Sequence, residues 1–128
     1  MEKRKEAEEL LDKVLDGAVP FTSEIEEKLE KELLREGTRI NIFGFDFVCT
    51  CFACPEQYDI YFNDRYVAYL RKRHGHLAAY PVIDGEIQWD NAFYKEESGD
   101  PYDGVIENRV EVFRNITREI KGHFVLPK

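Results

Sequence analysis

Residues 57–93 read QYDIYFNDRYVAYLRKRHGHLAAYPVIDGEIQWDNAF, and this stretch decides the fold. Short pairs interrupt it at Asn63-Asp64, His74-Gly75 and Asp84-Gly85, and β-branched and aromatic residues fill the segments between them. Asn-Asp and Asp-Gly pairs tolerate the positive φ angles that two-residue hairpin turns require. The stretch therefore predicts four strands paired in sequence order, which is an antiparallel β-meander.

The chain upstream of the meander predicts one more stretch of sheet and two helices. Thr38 to Phe52 is largely apolar, and Gly44 interrupts it, which indicates either one bent strand with a bulge or a tight hairpin. The first helix is predicted from Glu2 to about Asp16 by its apolar spacing. Ser23 followed by Glu26 fits a capping box, so the second helix is predicted to begin there.

A third helix is predicted after the sheet. The segment YKEESGD, residues 94–100, indicates a loop. Asp100-Pro101 is a favourable helix start because Asp accepts free amide protons and proline lacks one that needs a partner. We therefore predict a single α+β domain over residues 1–128. Its parts are a helical N-terminal part at 1–37, an antiparallel β-meander of four to five strands at 38–94, and a C-terminal helix at 100–121 packed on the sheet.

Composition and charge limit the function classes. The chain has 128 residues with 43% hydrophobic content and three cysteines. No apolar run approaches the roughly 20 residues that span a bilayer. We expect no membrane contact, no secretory signal and a reducing cytoplasmic location. The net charge of −8 disfavours general binding to nucleic acid, whose phosphates repel it.

The cysteines and histidines are candidate metal ligands. Cys49, Cys51 and Cys54 form C-x-C-x-x-C, and His74 and His76 follow about twenty residues later. The spacing differs from that of the common zinc knuckle, and two cysteines at i and i+2 in a strand share one face. We favour packing of these cysteines in the core and keep zinc as the alternative cofactor.

Catalytic groups are not evident in the sequence. Cys54 activated by His74 is one nucleophile candidate, but no recognisable motif flanks either residue. Neither serine lies in a G-x-S-x-G elbow. We predict no catalytic residues and therefore a protein that is not an enzyme.

Two charged surfaces are candidate interfaces. Residues 71–74 read RKRH, and Tyr66, Tyr69 and Tyr80 lie near them in the meander, a pattern that suits phosphates and stacked bases or a charged sheet edge. Residues 1–36 hold twelve acidic and seven basic side chains. A row of carboxylates on the predicted helices of this stretch fits a groove built for a phosphate backbone, although an ordinary solvated helix has the same sequence pattern.

Residues 54–75 read CPEQYDIYFNDRYVAYLRKRHG. This segment resembles small uncharacterised proteins of bacteria and their phages or prophages. Those proteins carry a C/Y-PEQYD-(V/I)-Y segment and, after a turn, G-Y-(L/I)-R-x-R-(H/W)-G. Ala68 stands here in place of the glycine. The resemblance implies a phage or mobile-element setting and a shared meander, and it transfers no catalytic residue. The matching positions are Pro55, Glu56, Gln57, Tyr58, Asp59, Tyr61, Tyr69, Leu70, Arg71, Arg73, His74 and Gly75.

The combined prediction is a small acidic, non-catalytic protein-binding module of phage or prophage type. It would dock on a host or phage protein, as an inhibitor of a nucleic-acid enzyme or defence system, with a homodimer left open. The alternative is a module stabilised by zinc or contacting nucleic acid through the Cys/His cluster and the basic strand end. The predicted partner-binding residues are Glu24, Glu27, Glu30, Tyr66, Arg71 and Arg73.

Overall fold

Three helices and seven strands are present within the residues that the computed structural model describes, which are 2–34, 37–51, 55–100, 102, 104, 106 and 108–123. All strands pair antiparallel, so the predicted α+β meander is confirmed, with more strands than the predicted four to five. In chain order the elements are α1 Glu2–Leu15, α2 Ser23–Leu33, β1 Arg39–Ile42, β2 Phe45–Cys51, β3 Glu56–Phe62, β4 Arg65–Arg73, β5 His76–Ile83, β6 Glu86–Ile87, β7 Tyr94–Glu97 and α3 Arg109–His123.

Two-residue turns with positive φ angles build the meander. His74 (φ 53°) and Gly75 (φ 79°) join β4 to β5, and the pairs at 63–64 and 84–85 have the same sign of φ. Phe43 (φ 53°) and Gly44 (φ 90°) join β1 to β2 in the same way. Positive φ at both turn positions matches the right-handed twist of the flanking strands. The alternatives at Gly44 are thereby decided in favour of the tight hairpin.

The last edge of the sheet differs from the prediction. Residues 86–93 were predicted as one strand and 94–100 as a loop, whereas β6 ends at Ile87 and YKEE forms β7. The Gln88 amide donates to the Pro81 carbonyl at 2.8 Å, and the Phe93 amide donates to the Ala79 carbonyl at 2.9 Å. The chain therefore leaves the edge of β5 after Gln88 and returns at Phe93. Residues 89–92 form an excursion from an otherwise continuous edge.

The two N-terminal helices lie where the sequence predicts them, but the predicted cap is wrong. Thr22 is the N-cap of α2, and its Oγ1 accepts a hydrogen bond from the Ile25 amide at 3.3 Å. Glu26 does not close a capping box with Ser23, because its carboxylate accepts a hydrogen bond from the Val110 amide in α3. A contact distant in sequence has replaced the local one.

The C-terminal helix begins later than predicted. Asp100 Oδ1 accepts a hydrogen bond from the Tyr102 amide at 2.9 Å, which closes a turn rather than a helix. Asn108 has a φ of 52°, and α3 starts directly after it at Arg109. A residue in the left-handed region interrupts a right-handed helix, so no helix can run unbroken through Asn108. Pro101 lies outside the described residues.

The three helices form one layer over one face of the sheet. Phe113 of α3 stacks on Phe47 at 4.3 Å between ring centroids and meets Tyr58 edge-on at 4.9 Å. One hydrophobic core joins the helices to strands β1 to β5, and its side chains alternate along β1, β2, β3 and β5. In β4 the consecutive residues Val67 and Ala68 both lie in this core, next to a register shift against β3. Among the described residues, no helix has the length and apolar character needed to cross a bilayer.

Candidate functional site

The face of the sheet opposite the helices, called the open face below, carries an ordered set of side chains. Residues paired across neighbouring strands point to the same face. Asp59 pairs with Tyr69, which pairs with Tyr80, and these alternate with the inward residues Tyr58 and Leu70 of the core. No described helix packs on this side. The residues of the open face that matter here are Arg39, Asp59, Tyr61, Tyr66, Tyr69, Arg71, Arg73, Tyr80, Trp89 and Lys95.

Trp89 lies over the centre of the open face. The excursion of residues 89–92 carries its indole to 5.0 Å from the Tyr80 ring and 5.7 Å from the Tyr69 ring, both edge-on. The guanidinium carbon of Arg71 lies 4.9 Å from the centre of the indole. These contacts hold the ring in place, yet 50% of Trp89 remains exposed. The result is an aromatic surface, packed by its own contacts, that still presents apolar area to water.

A second aromatic pair extends this surface toward β2. The rings of Tyr61 and Tyr66 lie 5.4 Å apart, and the Tyr66 hydroxyl donates to Asp59 Oδ1 at 2.9 Å. Burial and the hydrogen bond to Asp59 raise the pKa of Tyr66 above its ordinary value, so its hydroxyl stays protonated. Arg39 lies over Tyr61 and pairs with Asp46 at 3.7 Å. The acidic side chains in this part of the face therefore have partners.

The basic side chains gather at the other end of the open face. Arg71 and Lys95 lie in one cross-strand row, because both pair with Ala78 of β5, and Arg73 follows on β4. Within the described part of the chain, Arg71 contacts the ring of Trp89 and no carboxylate. Arg73 Nε donates to His74 Nε2 at 3.2 Å. Glu97 lies in the same cross-strand row as Arg73, through His76. This end of the face therefore carries three basic side chains and one carboxylate, and it remains locally positive on a chain whose net charge is −8.

The predicted partner-binding residues do not form one surface. Tyr66, Arg71 and Arg73 lie on the open face, whereas Glu24 and Glu27 are exposed on α2 in the helix layer. Glu30 is turned inward: its Oε2 lies 3.0 Å from a terminal nitrogen of Arg109, and its Oε1 accepts from the Arg109 amide. Glu30 is therefore committed to an internal ion pair.

The predicted Cys/His cluster is not assembled by the described residues. Cys49 pairs with Tyr58 but Cys51 pairs with Gln57, so a β-bulge at Thr50 places the two thiols on opposite faces of the sheet. The expectation that they share a face is wrong. Cys49 lies in the core, as expected.

The histidines lie away from the thiols of β2. His76 stands on β5, three strands from β2, which is a lateral distance of about 14 Å at normal strand spacing. Its Nδ1 contacts the carboxylate of Glu97. Cys54 lies outside the described residues, and among the described ones no three metal-binding side chains lie together.

The sequence interpretation missed a buried charge cluster beneath the sheet. Glu56 is fully buried, and its two oxygens accept hydrogen bonds from Arg109 Nε at 2.7 Å and a terminal nitrogen at 2.9 Å. The Tyr58 hydroxyl and the Ile106 amide also donate to Glu56, at 2.6 Å and 2.9 Å. Burial alone would lower the pKa of Arg109, but its bonds to Glu56 outweigh burial and raise it. This cluster joins β3 to the start of α3.

Comparisons of the chain with protein-family models, with curated proteins and with solved structures give no match.

Proposed function

We propose that this protein is a protein-binding module and that it docks its partner on the open face. The observation that carries the proposal is Trp89, which the excursion of residues 89–92 holds half exposed against Tyr69 and Tyr80. An indole left in water forfeits the free energy of burying its apolar surface, whereas a partner that covers it gains that energy. Tryptophan and tyrosine, with arginine, dominate the residues on which binding energy concentrates.

The chemistry of the open face favours a partner segment that carries carboxylates. Arg71, Arg73 and Lys95 lie together at one end, and Arg71 is oriented by the Trp89 ring rather than by an acidic side chain of its own. A carboxylate that reaches Arg71 would form a bidentate pair beside a desolvating aromatic ring. Charge complementarity of this kind sets specificity and the association rate. We therefore infer an acidic, partly apolar segment of another protein as the occupant.

Single-stranded nucleic acid is the second candidate, and the same residues suggest it. An antiparallel sheet with exposed aromatic rings and arginines is a common platform for stacked bases. The net charge of −8 opposes it, because the whole chain repels a phosphate backbone at long range. The local patch alone would have to overcome that repulsion, so we place the acidic protein segment first.

The docking surface is tested with paired variants. A photo-crosslinking amino acid at Tyr80 labels the open face, and the same group at Glu24 labels the helix layer as a control. The resemblance to phage and prophage proteins makes host and phage lysates the first source of partners, while an inhibitory role stays a prediction. A captured protein counts only after its affinity has been measured with purified chains.

The expected result is a contrast between the two faces. Trp89→Ala and Arg71→Glu should each weaken the partner at least about 10-fold, whereas Glu24→Lys and Glu27→Lys should change the affinity by less than about 2-fold. Replacing the partner's carboxylate by lysine should restore binding to Arg71→Glu. Affinity lost through Glu24 and Glu27 would overturn the proposal. Salt-dependent binding of a labelled oligo-dT, or a homodimer abolished by Trp89→Ala, would also overturn it.

A further inference from the structure

Glu26 is a buried carboxyl group between α2 and α3, and only 8% of the residue is exposed. Its Oε1 accepts a hydrogen bond from the Val110 amide, in the first turn of α3, at 2.9 Å. Its Oε2 makes no hydrogen bond within the described part of the chain. A carboxylate would need more donors than this to stay charged in a buried position.

A cavity of about 100 Å³ adjoins this carboxyl group. Its lining combines the start of α2 with the start of α3, so Glu26 is reached from solvent through the gap between the two helix ends. Exchange of a proton with water therefore needs no large opening of the core. The lining residues are Phe21, Thr22, Ser23, Glu26, Asn108 and Glu111.

The charges around Glu26 disfavour its ionised form. Glu30 lies on the same helix, and Arg109 and Glu111 face Glu26 from α3. Arg109 is the nearby cation, but Glu30 and Glu56 already bind its guanidinium. An ionised Glu26 would be a third carboxylate around one guanidinium. Burial raises the pKa of Glu26 from the ordinary 4.5 to about 7, with the charge of Glu30 acting in the same direction and the Val110 bond and Arg109 opposing it.

We propose that Glu26 is a proton-dependent latch between α2 and α3, which holds the start of α3 when it is neutral and loosens it when ionised. The neutral carboxyl keeps its bond from the Val110 amide at no cost in buried charge. The ionised carboxyl repels Glu30 on its own helix and Glu111 across the junction. Near neutral pH the two forms coexist, so small changes in pH shift the packing of the helix layer on the sheet.

The sign of the effect on stability follows from proton binding. Between pH 4.5 and about 7 the folded chain retains the Glu26 proton while the unfolded chain has lost it. The contribution of Glu26 to the free energy of unfolding is therefore largest below pH 4.5, falls as the pH rises from 4.5 to about 7, and is constant above about pH 7. A normal surface glutamate has no such window.

Urea unfolding of three chains between about pH 5 and about pH 8 tests the latch: the wild type, Glu26→Gln and the matched exposed control Glu27→Gln. The amide of Glu26→Gln keeps an acceptor for the Val110 N–H but carries no proton to lose in this range. The wild type and Glu27→Gln should lose roughly 50- to 100-fold in folding equilibrium constant across this range relative to Glu26→Gln. Exchange of the Val110 amide should accelerate with pH beyond the intrinsic rate in the wild type and Glu27→Gln, and not in Glu26→Gln.

Three results would overturn the latch. One is a pH profile of Glu26→Gln parallel to that of Glu27→Gln. Another is a ¹³C titration of the Glu26 carboxyl in the wild type with a midpoint near 4.5, a measurement that stands even where Glu26→Gln fails to fold. The third is a rise in melting temperature on adding Ca²⁺ or Mg²⁺ near pH 8 that is absent from Glu26→Gln, because a metal ion would then neutralise the carboxylate.

Discussion

Arginine side chains have different surroundings on the two faces of the sheet. On the covered face, Arg109 lies among Glu56 and Glu30, which together supply four of the hydrogen bonds and ion pairs around it. On the open face, Arg71 lies against a half-exposed Trp89, and within the described residues it meets no carboxylate. The difference separates side chains that stabilise the fold from side chains that lie on the surface. Arg109 is held by its acceptors, whereas Arg71 is the arginine that we propose as a contact for the partner.

Replacing each arginine in turn should give the largest difference between the two faces. Arg109→Met removes the guanidinium that binds both carboxylate oxygens of the buried Glu56, and we expect a loss of about 3–5 kcal/mol in the free energy of unfolding. Arg71→Met should cost less than about 1 kcal/mol because only a partly exposed cation–π contact is lost. Urea unfolding measures both. Adding Glu56→Gln to Arg109→Met should recover part of the loss, and no recovery would contradict the ion-pair account.

The close approach of the β4–β5 turn to the Asp100 carbonyl can be tested at two matched turns. Gly75 and Gly85 have nearly the same φ, 79° and 81°, but a Cβ at Gly75 would stand 2.4 Å from the Asp100 carbonyl oxygen, whereas nothing lies within 4 Å at Gly85. Gly85→Ala should cost about 1–2 kcal/mol for its backbone strain alone. Gly75→Ala should cost roughly 1–3 kcal/mol more, because the backbone must move. Equal melting temperatures for the two variants would contradict the contact.

Trp89 can be used to measure stability and partner binding separately on the open face. Trp89→Ala should lower the free energy of unfolding by about 1–2 kcal/mol, through loss of its contacts with Tyr69, Tyr80 and Arg71. It is the single tryptophan of the chain, so its fluorescence reports directly on this face. Partner binding should shift the emission to shorter wavelength. An unchanged spectrum at saturation would mean that the partner docks elsewhere.

The smallest expected effect concerns the helix layer and its corrected cap. Thr22→Ala removes the acceptor for the Ile25 amide and should cost about 1 kcal/mol. Ser23→Ala, one residue later, should change the free energy of unfolding by less than about 0.5 kcal/mol, because Ser23 is exposed within the first turn. Thermal melts at fixed pH distinguish the two. A larger cost at Ser23 would restore the capping box.

The sequence predicts the parts of this fold that local chemistry controls. The turns at 63–64, 74–75 and 84–85 are specified by residues that accept positive φ, so the meander follows from them directly. The start of α3 cannot be predicted in this way. Asp100-Pro101 satisfies the local rules for a helix start, but α3 begins after Asn108, which has a positive φ. Its first amides are bound by the distant Glu26 and Glu30. Local preference and tertiary contact disagree there, and the tertiary contact prevails.

The candidate site was only partly predictable for a related reason. Arg71 and Arg73 follow from alternation along β4, which needs no knowledge of other strands. The same alternation places Tyr66 on the covered face, and that expectation is wrong, because a register shift between Ile60 and Tyr61 pairs Tyr66 with Tyr61 on the open face. The excursion that delivers Trp89 depends on how residues 88 and 93 bond to β5. The bulge at Thr50 depends on the register of β2 against β3. Both are properties of a strand pair, and one segment of sequence does not contain them.

The order of strands has a consequence for folding kinetics. Strands β1 to β5 pair with their neighbours in sequence, mostly across two-residue turns, so most of the sheet closes through short loops. The ion pair between Glu56 and Arg109 joins residues 53 positions apart. We expect the hairpins to be structured in the transition state and this ion pair to form after it, so that Arg109→Met accelerates unfolding and leaves the refolding rate almost unchanged.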